Sequence, residues 1–452
     1  MRVEMNFDKA AGQRQVAVIG SGISGLAAAW LLAKNMSVTI YEADARLGGH
    51  ANTFLVPTAT GNQPVDTGFI VYNDRNYPNL VALFDHLDVP TRASDMSFAA
   101  SLDGGAFEYS GSGIRGLLGQ RTNVMRPRFW RMLSDIRRFY REASALLERQ
   151  DLASVGLGIY LYRNGYGATF VEDHLLPMGA AIWSTTAREI QAYPLHAFIR
   201  FFESHGLLTL SDRPKWRTVK GGSREYVNRL IRDFSGSVRL RSAVRSVRRA
   251  AGTVEVTDCH GHTDTFTDVV IATHADQALA ILADADGQER HLLGAFRYTN
   301  NTAVLHSDEN LMPRRRKTWA SWNYIGEPAR AEEHQLCVTY WMNRLQGIDP
   351  ANPLFVTLNP VRQIAPERTI ASFDYTHPLF DLKALSAQKE LWRLQGRNGT
   401  WFCGAHFGSG FHEDGVQAGL AVAESLGGVR RPWTVADESG RIHVGPALVA
   451  AE

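Results

Sequence analysis

Three glycines near the start of the chain have the spacing of a dinucleotide-binding turn. Gly20, Gly22 and Gly25 form a G-x-G-x-x-G between an apolar run and an apolar helix-like segment. Gly20 allows a tight turn, Gly22 lets the backbone approach a pyrophosphate, and Gly25 lets the helix pack closely on the strand. Glu42 follows at roughly the usual spacing of about 20 residues, where a carboxylate can accept hydrogen bonds from a ribose. This spacing predicts a bound dinucleotide, either NAD or FAD.

The segments around these glycines predict the strand–turn–helix–strand unit that such a site requires. Residues 16–19 are typical of a buried strand, 26–33 of an apolar helix, and 38–41 of a second strand that ends at Glu42. The N-terminus of the helix would direct free N–H groups and the positive end of its dipole at the phosphates. We therefore expect an α/β fold with a Rossmann-like parallel sheet.

Length, composition and charge restrict the classes of protein that remain. The chain has 452 residues, of which 44% are apolar and 21% charged, so two domains with a large core are expected. The net charge of +2 is too small to give a positive electrostatic field that would attract nucleic acid. Three widely spaced cysteines indicate no disulfide framework and a reducing cytoplasm. Cys259, His260 and His262 are too few for a metal site, and neither a signal peptide nor a membrane-spanning run is expected.

Further glycine motifs extend the pattern beyond a generic dinucleotide site. Gly48-Gly49 follow the second strand, and Asp66 and Gly68 lie in a later turn. Segment 401–426 combines an apolar strand, a glycine turn and an Ala/Gly-rich helix. In this order the motifs resemble the FAD-dependent amine-oxidase and phytoene-desaturase superfamily. The arrangement of YTHP at 375–378, the closing FGSGFHEDG and the HGLL segment further resembles a bacterial subgroup of predicted NAD/FAD-binding oxidoreductases, some of which are associated with modified unsaturated fatty acids.

This resemblance implies non-covalent FAD, held by both ends of the chain. The closing helix would aim its N-terminus at the N1–C2=O edge of the flavin, where a positive dipole end stabilises the anionic reduced ring. Val244 would contact the adenine through its backbone. The expected cofactor-binding residues are Gly20, Gly22, Ile23, Ser24, Gly25, Glu42, Ala43, Gly48, Gly49, His50, Gly68, Val244, Gly404, Ala405, His412 and Val416.

Some polar positions depart from the superfamily pattern or could do chemistry. His50 stands where many relatives have Arg, and His406 stands where many have an acid. His412 is either a core histidine without a function or a group at the flavin that moves a proton. Together with Tyr375 it is our candidate for a catalytic residue near the reacting face.

The resemblance also implies two domains that alternate along the chain. The first is a Rossmann-like FAD-binding domain (GR2-type) made of residues 14–75, 216–290 and 395–428. The second is an interleaved α+β substrate domain made of residues 76–215 and 291–394. Trp183 and Phe202 lie in apolar, aromatic-rich stretches of the substrate domain and are the candidates for substrate contact.

An arginine-rich stretch at 114–143 stands out within the substrate domain. It holds eight arginines, while Phe129, Leu133, Ile136 and Tyr140 recur with helical spacing. Such a basic amphipathic helix can lie on an anionic membrane, so peripheral membrane contact is one interpretation. The other is a surface helix whose apolar stripe packs on the protein and whose arginines are solvated.

The expected activity is FAD-dependent oxidation that removes a hydride, or a hydride and a proton, from a C–H or C–N bond. Several hypotheses differ in the substrate that they assign to this activity. The favoured one is desaturation or other oxidation of an apolar lipid such as a fatty acyl chain. The alternatives are an amine oxidase, a double-bond isomerase of polyunsaturated fatty acids, and a non-catalytic flavin-binding protein. Many amine oxidases of this superfamily have a lysine in the segment comparable to Tyr298 to Asp308. This segment lacks a lysine, which makes the amine-oxidase hypothesis less favoured.

Overall fold

The chain folds around two large β-sheets, one parallel and one largely antiparallel. The computed structural model describes residues 14–59, 61–209, 213–250, 252–327 and 337–445. Within these ranges the strands, numbered in chain order, are β1 Gln15–Ile19, β2 Ser37–Tyr41, β3 Thr53–Thr58, β4 Gly61–Asp66, β5 Tyr72–Asn73, β6 Thr91–Ala93, β7 Phe98–Leu102, β8 Phe107–Ser110, β9 Trp216–Val219, β10 Ser237–Arg239, β11 Val244–Ala250, β12 Thr253–Asp258, β13 Thr263–Phe266, β14 Asp268–Ile271, β15 Arg297–His306, β16 Trp322–Ile325, β17 Val338–Trp341, β18 Phe355–Leu358, β19 Thr369–Leu379 and β20 Thr400–Phe402.

The helices of the same ranges are numbered in the same way. They are α1 Ile23–Leu32, α2 Pro78–His86, α3 Gly113–Leu117, α4 Pro127–Glu142, α5 Leu157–Arg163, α6 Ala168–Phe170, α7 Leu176–Trp183, α8 Ala187–Ala192, α9 Leu195–Ser204, α10 Arg224–Arg232, α11 Ala275–Ile281, α12 Gly287–Leu293, α13 Met342–Gln346, α14 Leu382–Gln388 and α15 His412–Leu426. In the part of the chain that the structure describes, no helix is long and apolar enough to cross a lipid bilayer.

The parallel sheet contains the predicted dinucleotide unit. Its order is β10-β2-β1-β14-β20, and every neighbouring pair runs parallel. The apolar residues of β1 are buried, as expected for a strand that is covered on both faces. Ligands of such sheets bind beyond the carboxyl ends of the strands. The predicted α/β class with a Rossmann-like parallel sheet is confirmed.

Helices α1 and α15 pack against each other because small residues let their backbones approach. All ten residues of α1 are buried. A Cβ at Gly419 of α15 would lie 2.2 Å from the Ser24 carbonyl oxygen of α1. The Ala/Gly composition of the closing helix therefore serves a close helix contact, which brings the N-terminal and C-terminal motifs together.

The second sheet has seven strands in the order β19-β15-β18-β17-β16-β7-β8. Its pairs are antiparallel except for β16 with β7. Its strands come from 98–110 and 297–379, whereas the parallel sheet draws strands from 15–41, 237–271 and 400–402. This alternation resembles the predicted interleaving, but the proposed boundaries of the two domains stay a prediction.

The arginine-rich stretch is not one continuous helix. It forms α3, a 3₁₀ turn at Arg121–Met125, and α4, which begins at Pro127. In α4, Phe129 is buried, and Leu133, Ile136 and Tyr140 pack against the core of the protein. The apolar stripe therefore faces inward, as in the packing interpretation. A membrane contact through this stripe is excluded because the protein itself covers it.

Candidate functional site

A cavity of about 1790 Å³ connects the parallel sheet with the helices of the second region. It begins at the carboxyl ends of β1 and β2 and extends to α4, α7 and α9. Pockets for one small ligand usually measure about 300–1,000 Å³. The cavity therefore has room for a large cofactor and a substrate side by side.

The glycine turn forms the floor of the cavity at the sheet end. Gly20 has a φ of +97°, and its N–H donates a 2.8 Å hydrogen bond to the Tyr41 carbonyl, which ties the turn to β2. A Cβ at Gly25 would lie 2.0 Å from the Gly20 carbonyl oxygen, so Gly25 is required for packing. A Cβ at Gly22 would meet no protein atom within 4 Å. The space above Gly22 is therefore left for a ligand.

Glu42 holds the turn and still faces the cavity. One of its carboxylate oxygens accepts the Ser21 N–H at 2.9 Å and also the Ser21 hydroxyl, and the other accepts the Asp44 N–H at 2.8 Å. A carboxylate offers about four acceptor positions. Glu42 can therefore position the turn and accept a ribose hydroxyl at the same time.

The later glycine motifs converge on the same floor. A Cβ at Gly49 would lie 3.1 Å from the Gly22 Cα, so the two glycine segments touch. A Cβ at Gly68 would lie 2.2 Å from the His50 carbonyl oxygen, so that approach is also closed to any side chain. The N-terminus of α1 and the segment Ser409–His412 that begins α15 both line the cavity. Two positive dipole ends therefore face one wall.

His412 is a buried, neutral imidazole at the start of α15. Its ring stacks on Phe69 with 3.7 Å between the ring centroids, and its Nε2 lies 3.2 Å from the Tyr226 hydroxyl. Burial, with a smaller contribution from the charge of His50, lowers the pKa of His412 to about 3. An imidazole with so low a pKa is a weak base at neutral pH. This environment favours a packing or hydrogen-bonding role over proton abstraction.

Tyr375 lines the cavity and is held by two polar neighbours. Its hydroxyl accepts a 2.9 Å hydrogen bond from the Asn52 side-chain amide and lies 2.7 Å from the Thr67 hydroxyl. Burial raises the pKa of Tyr375, and the two hydrogen bonds oppose this only in part. Tyr375 therefore stays protonated at neutral pH, where it can donate a hydrogen bond but cannot act as a base.

His50 lies next to Tyr375 and is close to two further histidines, and we call His50, His274 and His377 the histidine cluster. The His50 ring centroid lies 5.1 Å from Tyr375, 5.5 Å from His377 and 6.2 Å from His274. Burial is the main cause that lowers their pKa values, to about 4 for His50 and His274 and to about 3 for His377. The cluster is therefore uncharged at neutral pH and offers hydrogen-bonding groups without a net field.

The structure separates the predicted residues that line the cavity from those that do not. Trp183 lies on the wall, whereas Phe202 stacks on Phe198 with 4.1 Å between centroids and does not line the cavity. Its neighbour Phe201 lies on the wall instead, because consecutive helical residues point about 100° apart, and the substrate contact of Phe202 stays a prediction. Val416 is likewise fully buried behind the wall. The predicted residues on the wall are Gly20, Gly22, Ile23, Ser24, Glu42, Ala43, Gly48, Gly49, His50, Gly68, Trp183, Val244, Tyr375, Gly404, Ala405 and His412.

Arginines also line the part of the cavity that the helices form. They are Arg137 and Arg141 of α4, together with Arg213. Apolar side chains line the same part, among them Leu117, Leu133, Ile136, Met178, Ile182, Phe201, Leu207 and Leu208. We call this part of the cavity the apolar channel, and its lining combines apolar side chains with positive charge.

Several buried polar atoms of wall residues lack a partner among the described residues. Two of them are Nε2 of His406, near the start of α15, and Nε1 of Trp183, in the apolar channel. A buried polar atom without a hydrogen bond costs about 1–3 kcal/mol. Ligand groups that reach these two atoms would recover that free energy.

Sequence reasoning missed His274, His377 and the three arginines. The two histidines reach the cluster because α11 follows β14 and because β15 pairs with β19, which places the Thr299 backbone opposite His377. Such long-range pairing leaves no local signal. The arginines did carry a signal, since Arg137 and Arg141 lie on one face at i and i+4.

The family comparison agrees with this geometry. Residues 23–314 match the model of the family described as flavin containing amine oxidoreductase. These residues make up more than half of the chain and carry the glycine pair, the Asp-x-Gly segment and most of the described cavity wall. No curated protein sequence matches the chain.

Solved structures of similar fold include enzymes with different substrates. Putrescine oxidase bound to putrescine is 16% identical with a TM-score of 0.66, over 92% of this chain and 99% of its own. A conjugated-linoleic-acid (CLA)-producing fatty acid isomerase from P. acnes is 15% identical with a TM-score of 0.61, over 90% and 97%. Cyclohexylamine oxidase from Brevibacterium oxydans IH-35A is 16% identical with a TM-score of 0.63, over 92% and 99%. At these identities the likeness shows the shared fold alone.

The cofactor of the site is FAD, and the residues of the cavity fit it. The open space above Gly22 suits a pyrophosphate, Glu42 suits a ribose, and the two helix N-termini suit the negative charge of the cofactor. The unpartnered Nε2 of His406 provides a hydrogen-bonding group for a polar part of the cofactor. The cavity continues beyond the residues that fit FAD. The remaining part, the apolar channel, has room for the substrate.

Proposed function

Because the chain belongs to the flavin-containing amine oxidoreductase family, we propose that this FAD-dependent enzyme oxidises an apolar lipid that carries a carboxylate, such as a fatty acid. The observation that supports the proposal is the composition of the cavity lining. The lining of the apolar channel is mostly apolar and also includes Arg137, Arg141 and Arg213. An apolar chain that carries one anionic group matches this combination.

The same charges disfavour an amine as the substrate. A free carboxylate would favour a cationic amine, and the described lining offers only Glu42 and Asp95. Glu42 belongs to the glycine turn. Asp95 forms an ion pair with Arg344 at 3.0 Å and also accepts hydrogen bonds from the Ser97 and Ser321 hydroxyls. The lining also contains no lysine among the described residues.

Bound FAD supplies the acceptor for a hydride from a carbon of the substrate. The chain's own residues bind the acyl chain, fix its register through the carboxylate, and keep water out of the channel. Tyr375, whose hydroxyl is held by Asn52 and Thr67, would position the wall of the cavity next to His50 for the acyl chain. Isomerisation of a double bond remains the second candidate because it needs the same apolar channel and differs only in the absence of net oxidation.

Binding of a matched acid and amine tests the substrate class. We expect a C18 unsaturated fatty acid to perturb the flavin spectrum of the FAD-loaded protein at lower concentration than the amine of the same chain. Replacing Arg137 and Arg141 with glutamine should weaken binding of the acid about tenfold, as expected for one lost charge-assisted hydrogen bond. Binding of the amine should not weaken. Tighter binding of the amine to the wild type would reject the proposal.

A Tyr375→Phe variant tests the proposed role of the hydroxyl. We expect flavin reduction by the lipid to slow about tenfold, the effect of losing one hydrogen bond of about 1–1.5 kcal/mol. FAD content and acid affinity should stay as in the wild type, which separates orientation from folding. Stopped-flow absorbance under anaerobic conditions measures the rate. An unchanged rate would remove Tyr375 from the mechanism.

A further inference from the structure

Five exposed apolar side chains lie in residues 114–130, a segment that also contributes to the cavity lining. Ile114 is 75% exposed, Met125 77% and Trp130 56%, and Leu118 and Val124 are also exposed. We call these five residues the apolar rim. Of the twelve exposed large apolar side chains among the described residues, these five fall within one segment of 17 residues, 114–130. Such a concentration of exposed apolar groups is typical of a contact site.

The local structure fixes the apolar rim in place. Ile114 and Leu118 lie on the same side of α3, where the Leu118 N–H donates to the Ile114 carbonyl at 3.0 Å. The Trp130 indole N–H donates a 2.8 Å hydrogen bond to the Val124 carbonyl, which holds the ring against the 3₁₀ turn. The side chains are therefore presented outward by hydrogen-bonded backbone rather than by a loose loop.

The apolar rim is continuous with the cavity. Ser112, Gly113, Ile114 and Leu117 line the cavity, and Ile114 is at the same time one of the most exposed apolar residues. Arg137 and Arg141 of α4 line the same cavity. A lipid that leaves this surface would enter the apolar channel without crossing water.

Unpaired positive charge surrounds the apolar rim. Arg115, Arg121 and Arg131 are exposed, and none of them pairs with a carboxylate in the described ranges. The acids of the stretch are engaged, because Asp135 accepts the Gly167 N–H at 2.9 Å and Glu142 pairs with Arg138 at 3.5 Å. Arginines around a tryptophan and aliphatic side chains match the anionic headgroups and acyl boundary of a bilayer.

From these observations we propose that the apolar rim and its arginines dock the protein on an anionic lipid bilayer, with the cavity opening toward the lipid. This differs from a membrane contact through the apolar stripe of α4, which is covered by the protein. A second copy of the chain is disfavoured as the occupant because a two-fold contact would place the same arginines against each other. The proposed lipid substrate explains what docking would be for. The test of docking does not depend on that substrate.

Co-sedimentation of the FAD-loaded full chain with vesicles tests the proposal. The vesicles are phosphatidylcholine alone or an equal mixture with phosphatidylglycerol. We expect the wild type to sediment with the anionic vesicles. Replacing Met125 and Trp130 with serine should lower the partition coefficient at least about tenfold. Replacing Arg121 and Arg131 with glutamine should lower it roughly 30-fold on anionic vesicles only, and raised salt should do the same to the wild type.

A control variant carries the same changes at a distant place. Leu382 and Lys383 at the start of α14 are exposed, and their replacement with serine and glutamine should leave vesicle binding unchanged. FAD content measured on every variant confirms folding. The proposal is overturned if the wild type stays in the supernatant, if all variants bind alike, or if Trp130→Ser instead abolishes a dimer or binding to another protein. Flavin reduction by fatty acid in the same samples reports on the proposed function separately.

Discussion

Replacing Gly22 with alanine is expected to abolish retention of FAD while the protein folds as the wild type does. The Cβ at this position meets no protein atom within 4 Å, and the backbone of Gly22, with φ of −61° and ψ of 172°, suits alanine. The added methyl group would occupy the space that the pyrophosphate needs. We expect affinity for FAD to fall roughly 10- to 100-fold, as for an overpacked contact. Flavin absorbance after gel filtration and calorimetric titration of the apoprotein measure the loss.

Two other glycines provide matched controls for Gly22→Ala. A Cβ at Gly287 also meets no protein atom within 4 Å, but Gly287 lies outside the cavity, so its alanine variant should retain FAD. Gly25→Ala should lose both FAD and stability, because its Cβ would lie 2.0 Å from the Gly20 carbonyl oxygen. Wild-type FAD affinity in Gly22→Ala would show that the glycine turn does not hold the pyrophosphate.

Acid is expected to unfold the protein well above the pH at which carboxylates are protonated. His174, His205, His306 and His406 are almost fully buried, and burial is the main cause that lowers their pKa values to about 3 or 4. In the unfolded chain the pKa of histidine is about 6.5. The stability that these residues contribute is therefore present above pH 6.5 and is lost as the pH falls toward 4.

The expected size of this effect is comparable to the stability of a typical domain. Each such histidine lowers the free energy of unfolding by about 2 kcal/mol between pH 7 and pH 5. The total free energy of unfolding of a typical protein is about 5–15 kcal/mol. Urea unfolding of the FAD-loaded protein at several pH values, followed by circular dichroism, measures the slope.

One buried and one exposed histidine identify the source of the acid effect. His306 bonds to Thr357 in the seven-stranded sheet, away from the cavity, and His306→Gln should flatten the dependence on pH. His262, whose side chain is 75% exposed, should have no effect when it is replaced with glutamine. A free energy of unfolding that stays constant from pH 7 to pH 5 would contradict the assignment.

The fold and the cofactor end of the site were predictable because their signals are local. The glycines at 20, 22 and 25 and the acid at 42 each meet a geometric need within one strand–turn–helix–strand unit. The contact between α1 and α15 was not predicted, because it joins segments from opposite ends of the chain. The α/β class, FAD and the enzyme class are accordingly confirmed.

The substrate end was predictable only in part because it depends on which way side chains point. Phe201 and Phe202 are adjacent residues of the same type. Only the direction in which each side chain points from α9 decides which of them reaches the cavity. The apolar stripe of α4 has the same periodicity whether protein or lipid covers it. The apolar rim carries no periodicity, so only its exposure in the folded chain reveals it.

Anaerobic mixing of the FAD-loaded protein with lipids tests whether the enzyme oxidises a fatty acid. A C18 unsaturated fatty acid and the amine of the same chain are added in separate experiments, and the absorbance of the oxidised flavin is followed. The account predicts that the fatty acid bleaches the flavin and gains one double bond or an equivalent oxidation per flavin reduced. Bleaching by the amine alone would contradict the proposed substrate, and conversion of the acid without bleaching would assign isomerisation instead.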